Sequence, residues 1–217
     1  MSGIESVPAR KSASHGEAGY ARQARDFYPT EPWVTEALCR AMPLVHRGEV
    51  GEPGPTNATV WEPACGDGRM ARVLAAHGYH VFASDIADYG YGRTGVDFLT
   101  CLTLPAMEPP VAAIVTNPPF NLAVPFIQKA LNHTCFYGGK VAILQRHEFD
   151  APRSNWSLFA APFAAKLILP RRPRWSDSHK ASPRFPYAWY LWDWRHQGDP
   201  VIRWLPDPEK PAGGALL

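Results

Sequence analysis

Two consecutive prolines close an apolar run in this chain. Val111-Ala112-Ala113-Ile114-Val115-Thr116 is followed at once by Asn117-Pro118-Pro119-Phe120. Each proline lacks a backbone donor and holds φ near one value, so a strand over 111–116 must stop there and the chain beyond it is stiff. A side-chain amide, carbonyls freed from the strand ladder and an aromatic face are thereby held together at the end of a buried strand. That set of groups suits gripping a planar group that carries an NH2. A plain strand-ending turn would use the same prolines, so the meaning of the segment depends on what surrounds it.

The surroundings alternate strand and helix. A helix is predicted from near Thr30-Glu31-Pro32 to Met42, with Thr30 as its cap and Pro32 in its first turn, and a Gly/Pro-rich loop follows over Gly48–Asn57. Strands are predicted over 59–61, 79–84, 95–98, 111–116, 140–144, 165–169 and 187–194, with helices over 69–77 and 155–161 and Gly78 stopping the first of these. Ala123, Phe126, Ile127, Ala130 and Leu131 recur at helical spacing and define one apolar face, with Pro125 tolerated in the first turn. The pattern predicts an α/β fold, a Rossmann-like, doubly wound, mostly parallel seven-stranded sheet in a single domain. Ligands of such sheets bind outside the carboxyl ends of the strands, and every segment singled out here falls at such an end.

The first of these ends is Glu62-Pro63-Ala64-Cys65-Gly66-Asp67-Gly68. Its glycines permit a tight turn and close approach of a ligand to the backbone. The two glycines, with Ala71 at the third position, leave a dinucleotide fingerprint partly open. An acid at this turn repels a pyrophosphate and suits the ammonium of a zwitterion. Asp85, 19 residues beyond Gly66, can accept from both hydroxyls of a ribose, with Ile86 beside it. A turn aspartate would occupy the same position.

The Glu62–Gly68 loop resembles the cofactor loop of class I S-adenosylmethionine-dependent methyltransferases, in which an acid and a proline precede G-x-G. The NPPF segment resembles the catalytic motif of members that act on exocyclic or amide nitrogens. Asp26-Phe27-Tyr28-Pro29-Thr30 is similar to the FYTP-like segment of adenine-N6 methyltransferases, with the order of threonine and proline reversed. The resemblance spans roughly residues 26–150, with the motifs in the order of the family, and is strongest to small phage- and prophage-type DNA adenine-N6 methyltransferases. It implies S-adenosyl-L-methionine as cofactor, held by Tyr28, Pro29, Thr30, Glu62, Pro63, Ala64, Gly66, Gly68, Asp85, Ile86, Asp97, Phe98 and Asn117. Asp97 would accept from the adenine amine of that cofactor and Phe98 would pack on its ring. It implies Asn117, Pro118, Pro119 and Phe120 as the catalytic segment. The Asn117 amide and the Pro118 carbonyl would accept the two N–H bonds of the target amine, and Phe120 would stack on a base flipped out of a duplex or presented single-stranded.

Residues 26–145 carry 7 basic and 11 acidic side chains, whereas residues 146–203 carry 10 and 5. The basic part also holds Trp156, Trp175, Trp189, Trp192 and Trp194. Cations interleaved with aromatics suit a polyanion with stacking bases, so nucleic acid, DNA foremost, is the expected partner. Core tryptophans beneath a solvated face would give the same composition. Arg146 and His147 could line the target pocket and Arg171, Arg172, Arg174 and Trp175 could meet the strand, although His147 also reads as a satisfied surface or core histidine.

The 217 residues fit one domain over 26–205, its cofactor and catalytic motifs in 26–145 and its substrate-facing part in 146–205. A flexible polar lead-in over 1–25 and a flexible tail over 206–217 are expected at either end. No apolar run approaches the roughly 20 residues of a membrane span, and the polar start lacks the apolar core of a signal peptide, so a cytoplasmic location is expected. The cysteines, Cys39, Cys65, Cys101 and Cys135, lack zinc spacing, and the sequence does not specify an oligomeric state. The absence of a Pro-Cys dipeptide disfavours cytosine-C5 chemistry. Amino groups of RNA (adenine-N6, guanine-N2), cytosine-N4 of DNA, a protein glutamine amide, or cofactor and nucleic-acid binding without catalysis remain open.

Overall fold

The computed structural model describes residues 28–46, 59–101, 111–175 and 185–210. The predicted lead-in, Asp26, Phe27, the loop at 48–57 and the last part of the tail lie outside these residues. Seven strands form one sheet in the order β2-β1-β3-β4-β6-β5-β7. They are β1 (Thr59–Glu62), β2 (His80–Ala83), β3 (Val111–Thr116), β4 (Lys140–Arg146), β5 (Phe163–Ile168), β6 (Tyr187–Asp193) and β7 (Val201–Trp204). β1 to β4 and the β5–β7 pair run parallel, and only β6 is antiparallel to its neighbours. Among the described residues the α-helices are α1 (Pro32–Ala41), α2 (Arg69–Ala76) and α3 (Ala123–Thr134), with 3-10 segments over Phe120–Leu122, Cys135–Tyr137 and Arg153–Ala160.

Side-chain alternation sorts the core into two layers. In β4, Ala142 and Leu144 face α1 and α2, while Val141 and Ile143 face α3. β6 divides the same way, with Trp189 and Leu191 on the first side and Ala188, Tyr190 and Trp192 on the second. Both faces are therefore covered, which is why the central strands read as continuous apolar runs. The predicted face of α3, from Ala123 to Leu131, is buried on the second side. Trp189 and Trp192 are fully buried and spend their indole N–H groups on the carbonyls of Val34 and Leu158. For these two the core alternative holds, whereas Trp156 is 58% exposed.

Two of the seven strands differ from expectation. No strand forms over 95–98. Instead Asp97 accepts from the Leu99 N–H and the Thr100 hydroxyl, both at 2.9 Å, a local turn that competes with sheet pairing. The chain before it is bridged to the end of β2 at Ser84–Arg93, and the Arg93 N–H donates to the Ala83 carbonyl at 2.9 Å. The seventh strand of the sheet is β7, whose four residues are all exposed. It lies between Pro200 and Pro206 and shows no alternation that periodicity could detect. β4 also runs two residues longer than predicted, so Gln145 and Arg146 belong to the strand. The chain after β7 is anchored at least as far as Glu209, because Arg171 pairs with Asp207 and Glu209 and Arg40 donates to the Pro208 carbonyl. No helix among the described residues is long and apolar enough to cross a membrane.

Candidate active site

The carboxyl ends of β1, β2 and β3 and the segment preceding α1 border an open cleft. Of the residues predicted to hold a cofactor, Tyr28, Pro29, Thr30, Glu62, Pro63, Ala64, Gly66, Asp85, Ile86, Asp97, Phe98 and Asn117 all line it. Gly68 does not. Its φ of +79° caps α2 in the left-handed region, and a Cβ there would meet the Tyr91 ring at 2.2 Å. The close approach at this glycine is therefore to an aromatic side chain of the protein rather than to the cleft. Gly68→Ala is expected to cost about 1–2 kcal/mol for the left-handed backbone and a further share for displacing Tyr91. Gly90→Ala is the control, since Gly90 has a φ of +76° and nothing within 4 Å of its missing Cβ. Thermal melts in which Gly68→Ala is no worse than Gly90→Ala would show that Tyr91 yields without cost.

Acids outnumber bases in the lining. Glu62 ends β1 and is 2% exposed; the Ala71 N–H donates to its carboxylate, while Oε2 is buried without a partner. Burial, reinforced by Asp85 and Asp67, pushes its carboxyl well above the usual range. Asp85 ties the Glu62–Gly68 loop to the end of β2: Oδ2 accepts from the Gly66 N–H and Oδ1 from the Ala87 N–H, both at 2.9 Å. Each oxygen keeps a second lone pair for a ligand. Asp67 is neutralised by Arg69 at 2.8 Å. With Glu62, Asp85 and Asp97 in excess over that single guanidinium, the cleft suits a cation and opposes a pyrophosphate. Ile86, 63% exposed, and Leu122, 36% exposed, supply apolar surface at its rim. Phe98 is 2% exposed and packs on Trp61 and Phe126, so it supports the wall more than it presents a face.

Asn117 sits where β3 ends. Its amide nitrogen donates to Thr30 Oγ1 at 3.1 Å and lies 3.5 Å from the Tyr28 carbonyl, leaving Oδ1 as a buried acceptor without a partner. Thr30 thus positions Asn117 rather than capping α1, whose N-cap is Glu31; that side chain makes no capping bond and instead accepts from the Arg174 N–H at 2.7 Å. The Pro119 carbonyl accepts from the Leu122 N–H at 2.9 Å, whereas no described group donates to the Pro118 carbonyl. Two acceptors at adjacent residues, the Asn117 side-chain oxygen and the Pro118 carbonyl, consequently lack a donor among the described residues; Asn117 lines the cleft, whereas Pro118 is buried and is not part of its lining.

Phe120 lies outside the cleft in an aromatic cluster. Its ring centroid is 5.3 Å from Tyr28, 5.9 Å from Tyr187 and 6.3 Å from Trp175. Arg146 and Trp175 join this cluster, the guanidinium carbon 5.8 Å from the Phe120 ring centroid and the Trp175 ring 4.8 Å from that of Tyr187. His147 is not brought to the cleft. Its main chain is held by Pro186 and by the Tyr190 hydroxyl, and Nδ1 is buried without a partner. Arg171 is committed to Asp207, Glu209 and the Trp33 ring, while Arg172 and Arg174 are exposed. Cys65, 4% exposed with its thiol pushed up to about 12 by burial, is no nucleophile. Sequence reasoning passed over Tyr187, whose place in β6 looked purely structural, and over Leu99, Leu122 and Tyr89, which line the cleft from turns.

No protein-family model and no curated protein matches the sequence. Among solved structures, a Listeria monocytogenes protein assigned to the class I S-adenosylmethionine-dependent methyltransferases superposes with a TM-score of 0.58 at 12% identity. The match covers 81% of this chain and 64% of that one. The methyltransferase subunit of a type I restriction–modification system from Streptococcus thermophilus superposes with a TM-score of 0.55 at 13% identity, over 76% of this chain and 44% of the other. This chain therefore spans less than two thirds of either neighbour. The fold is the Rossmann-like fold of class I methyltransferases.

Proposed function

We propose that this protein transfers a methyl group from S-adenosyl-L-methionine to the exocyclic N6 amine of adenine in DNA, with short or relaxed sequence preference. The observation that carries this reading is the pair of adjacent acceptors at the end of β3 that lack a donor among the described residues, Asn117 Oδ1 and the Pro118 carbonyl. An NH2 group has two N–H bonds, and two acceptors one residue apart match that number.

The cleft fits the cofactor on its own terms. The unpartnered Oε2 of Glu62 is a buried acceptor for an ammonium, Asp85 keeps lone pairs for ribose hydroxyls, and the excess of acid suits a net cation. The cofactor, when bound, supplies an electrophilic methyl group. An amine conjugated to an aromatic ring is a poor nucleophile because its lone pair is delocalised. Accepting both N–H bonds out of the ring plane draws the nitrogen toward sp3 geometry and localises that pair. Asn117 and Pro118 perform this task, and Thr30 holds the Asn117 amide in the required rotamer. Phe120 offers ring surface beside them for the base. Positioning carries the remaining acceleration, and no strongly shifted base is required, since the nitrogen becomes acidic only once alkylated.

DNA is preferred as the polymer because the order of the motifs resembles that of DNA adenine-N6 enzymes, and the likeness to a restriction–modification subunit lends support. The test supplies isotopically labelled S-adenosylmethionine with unmethylated duplex DNA, single-stranded DNA, RNA and total protein. Mass spectrometry of nucleosides and peptides then locates the label. N6-methyladenine in DNA is the expected product. Label in RNA, in cytosine-N4 or in glutamine instead would replace the substrate while keeping the chemistry, and no label in any of them would overturn the reading. Sequencing the modified sites and finding one long, strict motif would overturn the relaxed preference.

A further inference from the structure

Outward from Asn117 the aromatic cluster reaches the surface as a row of planar groups. The Arg146 guanidinium carbon lies 5.8 Å from the Phe120 ring centroid and 4.1 Å from that of Phe185. Phe185 precedes β6 and is 41% exposed, and Arg146 is the exposed last residue of β4. Trp175 packs edge-on against Tyr187 at 4.8 Å between ring centroids, so the rings beside the guanidinium form one continuous cluster. Among the described residues no carboxylate pairs with Arg146, whereas Arg40, Arg69 and Arg171 each have an acidic partner. The side chains of Arg172 and Arg174, next to Trp175, likewise lack a carboxylate partner among the described residues and are exposed.

An uncompensated guanidinium held over an exposed ring presents a flat, cationic surface. Such surfaces attract the π-face of a base and the phosphates on either side of it. An intact duplex keeps its base faces stacked inside and offers none of them to a surface platform, apart from a nucleotide that is flipped out. A single strand offers the faces of successive bases.

We propose that Phe185 and Arg146 form a stacking platform for the nucleotide adjacent to the target, so that the protein prefers single-stranded or melted nucleic acid to an intact duplex. The inference rests on the reading above, in which the substrate is the amine of a nucleobase. It selects the physical state of that substrate.

The test measures fluorescence anisotropy of a short fluorescein-labelled adenine-containing oligonucleotide, alone and as a duplex, with the full chain at one fixed salt concentration. Single strand is expected to bind at least tenfold more tightly than duplex. Phe185→Ala is expected to lose about tenfold on the single strand, the scale of one base stacked on one ring, with little change on the duplex. Phe185→Tyr keeps a ring and is expected to keep the affinity. Equal or tighter binding of the duplex, binding of neither, or an unchanged affinity in Phe185→Ala overturns the proposal. Methyl transfer followed in the same samples separates the two ideas. A preferred single strand that is never methylated counts against the amine-methylation reading alone, and a methylated duplex that outcompetes the single strand counts against the platform alone.

Discussion

Asn117→Ala is expected to lower the single-turnover rate of methyl transfer by about two to three orders of magnitude at saturating cofactor and substrate, the cost of removing one preorganised hydrogen-bonding group from a site where charge develops. The physical reason is specific to this amide. Thr30 already takes its nitrogen end at 3.1 Å, so the oxygen is free, buried and oriented before any substrate arrives. Alanine removes the acceptor and also releases Thr30, so a second variant is needed to separate the two effects. Asn117→Asp keeps an acceptor, and its carboxylate can accept a hydrogen bond from the Thr30 hydroxyl. It is expected to stay within about tenfold of the wild type, the scale of a single altered hydrogen bond. A rate in Asn117→Ala within threefold of wild type would refute the acceptor role. Equal losses in the alanine and aspartate variants would assign the effect to the anchoring of residues 28–30.

The second large effect is expected at Glu62. Its carboxyl is held well above the ordinary range, first by burial and then by Asp85 and Asp67. A ligand ammonium favours the ionised form, so the bound state has the lower pKa and binding releases a proton whenever the free carboxyl is protonated. Cofactor affinity is therefore expected to rise with pH below the pKa of the free protein and to level off above it. Folding shows the opposite trend. The native carboxyl holds its proton at pH values where the unfolded chain has lost it, so the stability of the cofactor-free protein falls as pH rises from the unfolded value of 4.5 toward the native one. Glu62→Gln is isosteric and cannot ionise. It is expected to flatten both dependences and to weaken S-adenosylmethionine about a hundredfold at neutral pH, consistent with about 1.5–3 kcal/mol for a hydrogen bond to a charged group. Calorimetric titrations in buffers of different ionisation enthalpy measure the released proton directly. Proton release that persists in Glu62→Gln would place the titrating group elsewhere.

Several parts of this site are legible in the chain because their causes are local. The stop at Pro118 and Pro119 follows from covalent geometry, and the buried face of α3 follows from spacing alone. The tight turn before α2 follows from glycines that can adopt positive φ, as Gly66 and Gly68 do. Other parts were misread because local signals had a stronger competitor. Residues 95–98 carry strand formers, yet the Asp97 side chain bonds the backbone N–H of Leu99 and the Thr100 hydroxyl and closes a turn instead. Thr30 has the chemistry of a helix cap but spends its hydroxyl on Asn117, 87 positions away. The basic residues at 171–174 read alike, and only Arg171 is tied to acids downstream.

The sequence by itself determined where the sheet must break, which turns could hold a ligand and which side chains are candidates for a site that grips an NH2 group. Those properties depend on proline, glycine and the order of residues along the backbone. Only the tertiary structure decided which acceptors are left open and which cations are spent. It also decided that Tyr28, Phe120, Trp175 and Tyr187, far apart in the chain, share one cluster beside Asn117. An unpaired acceptor or an uncompensated guanidinium is defined by what fails to reach it, and that is set by the packing of distant segments.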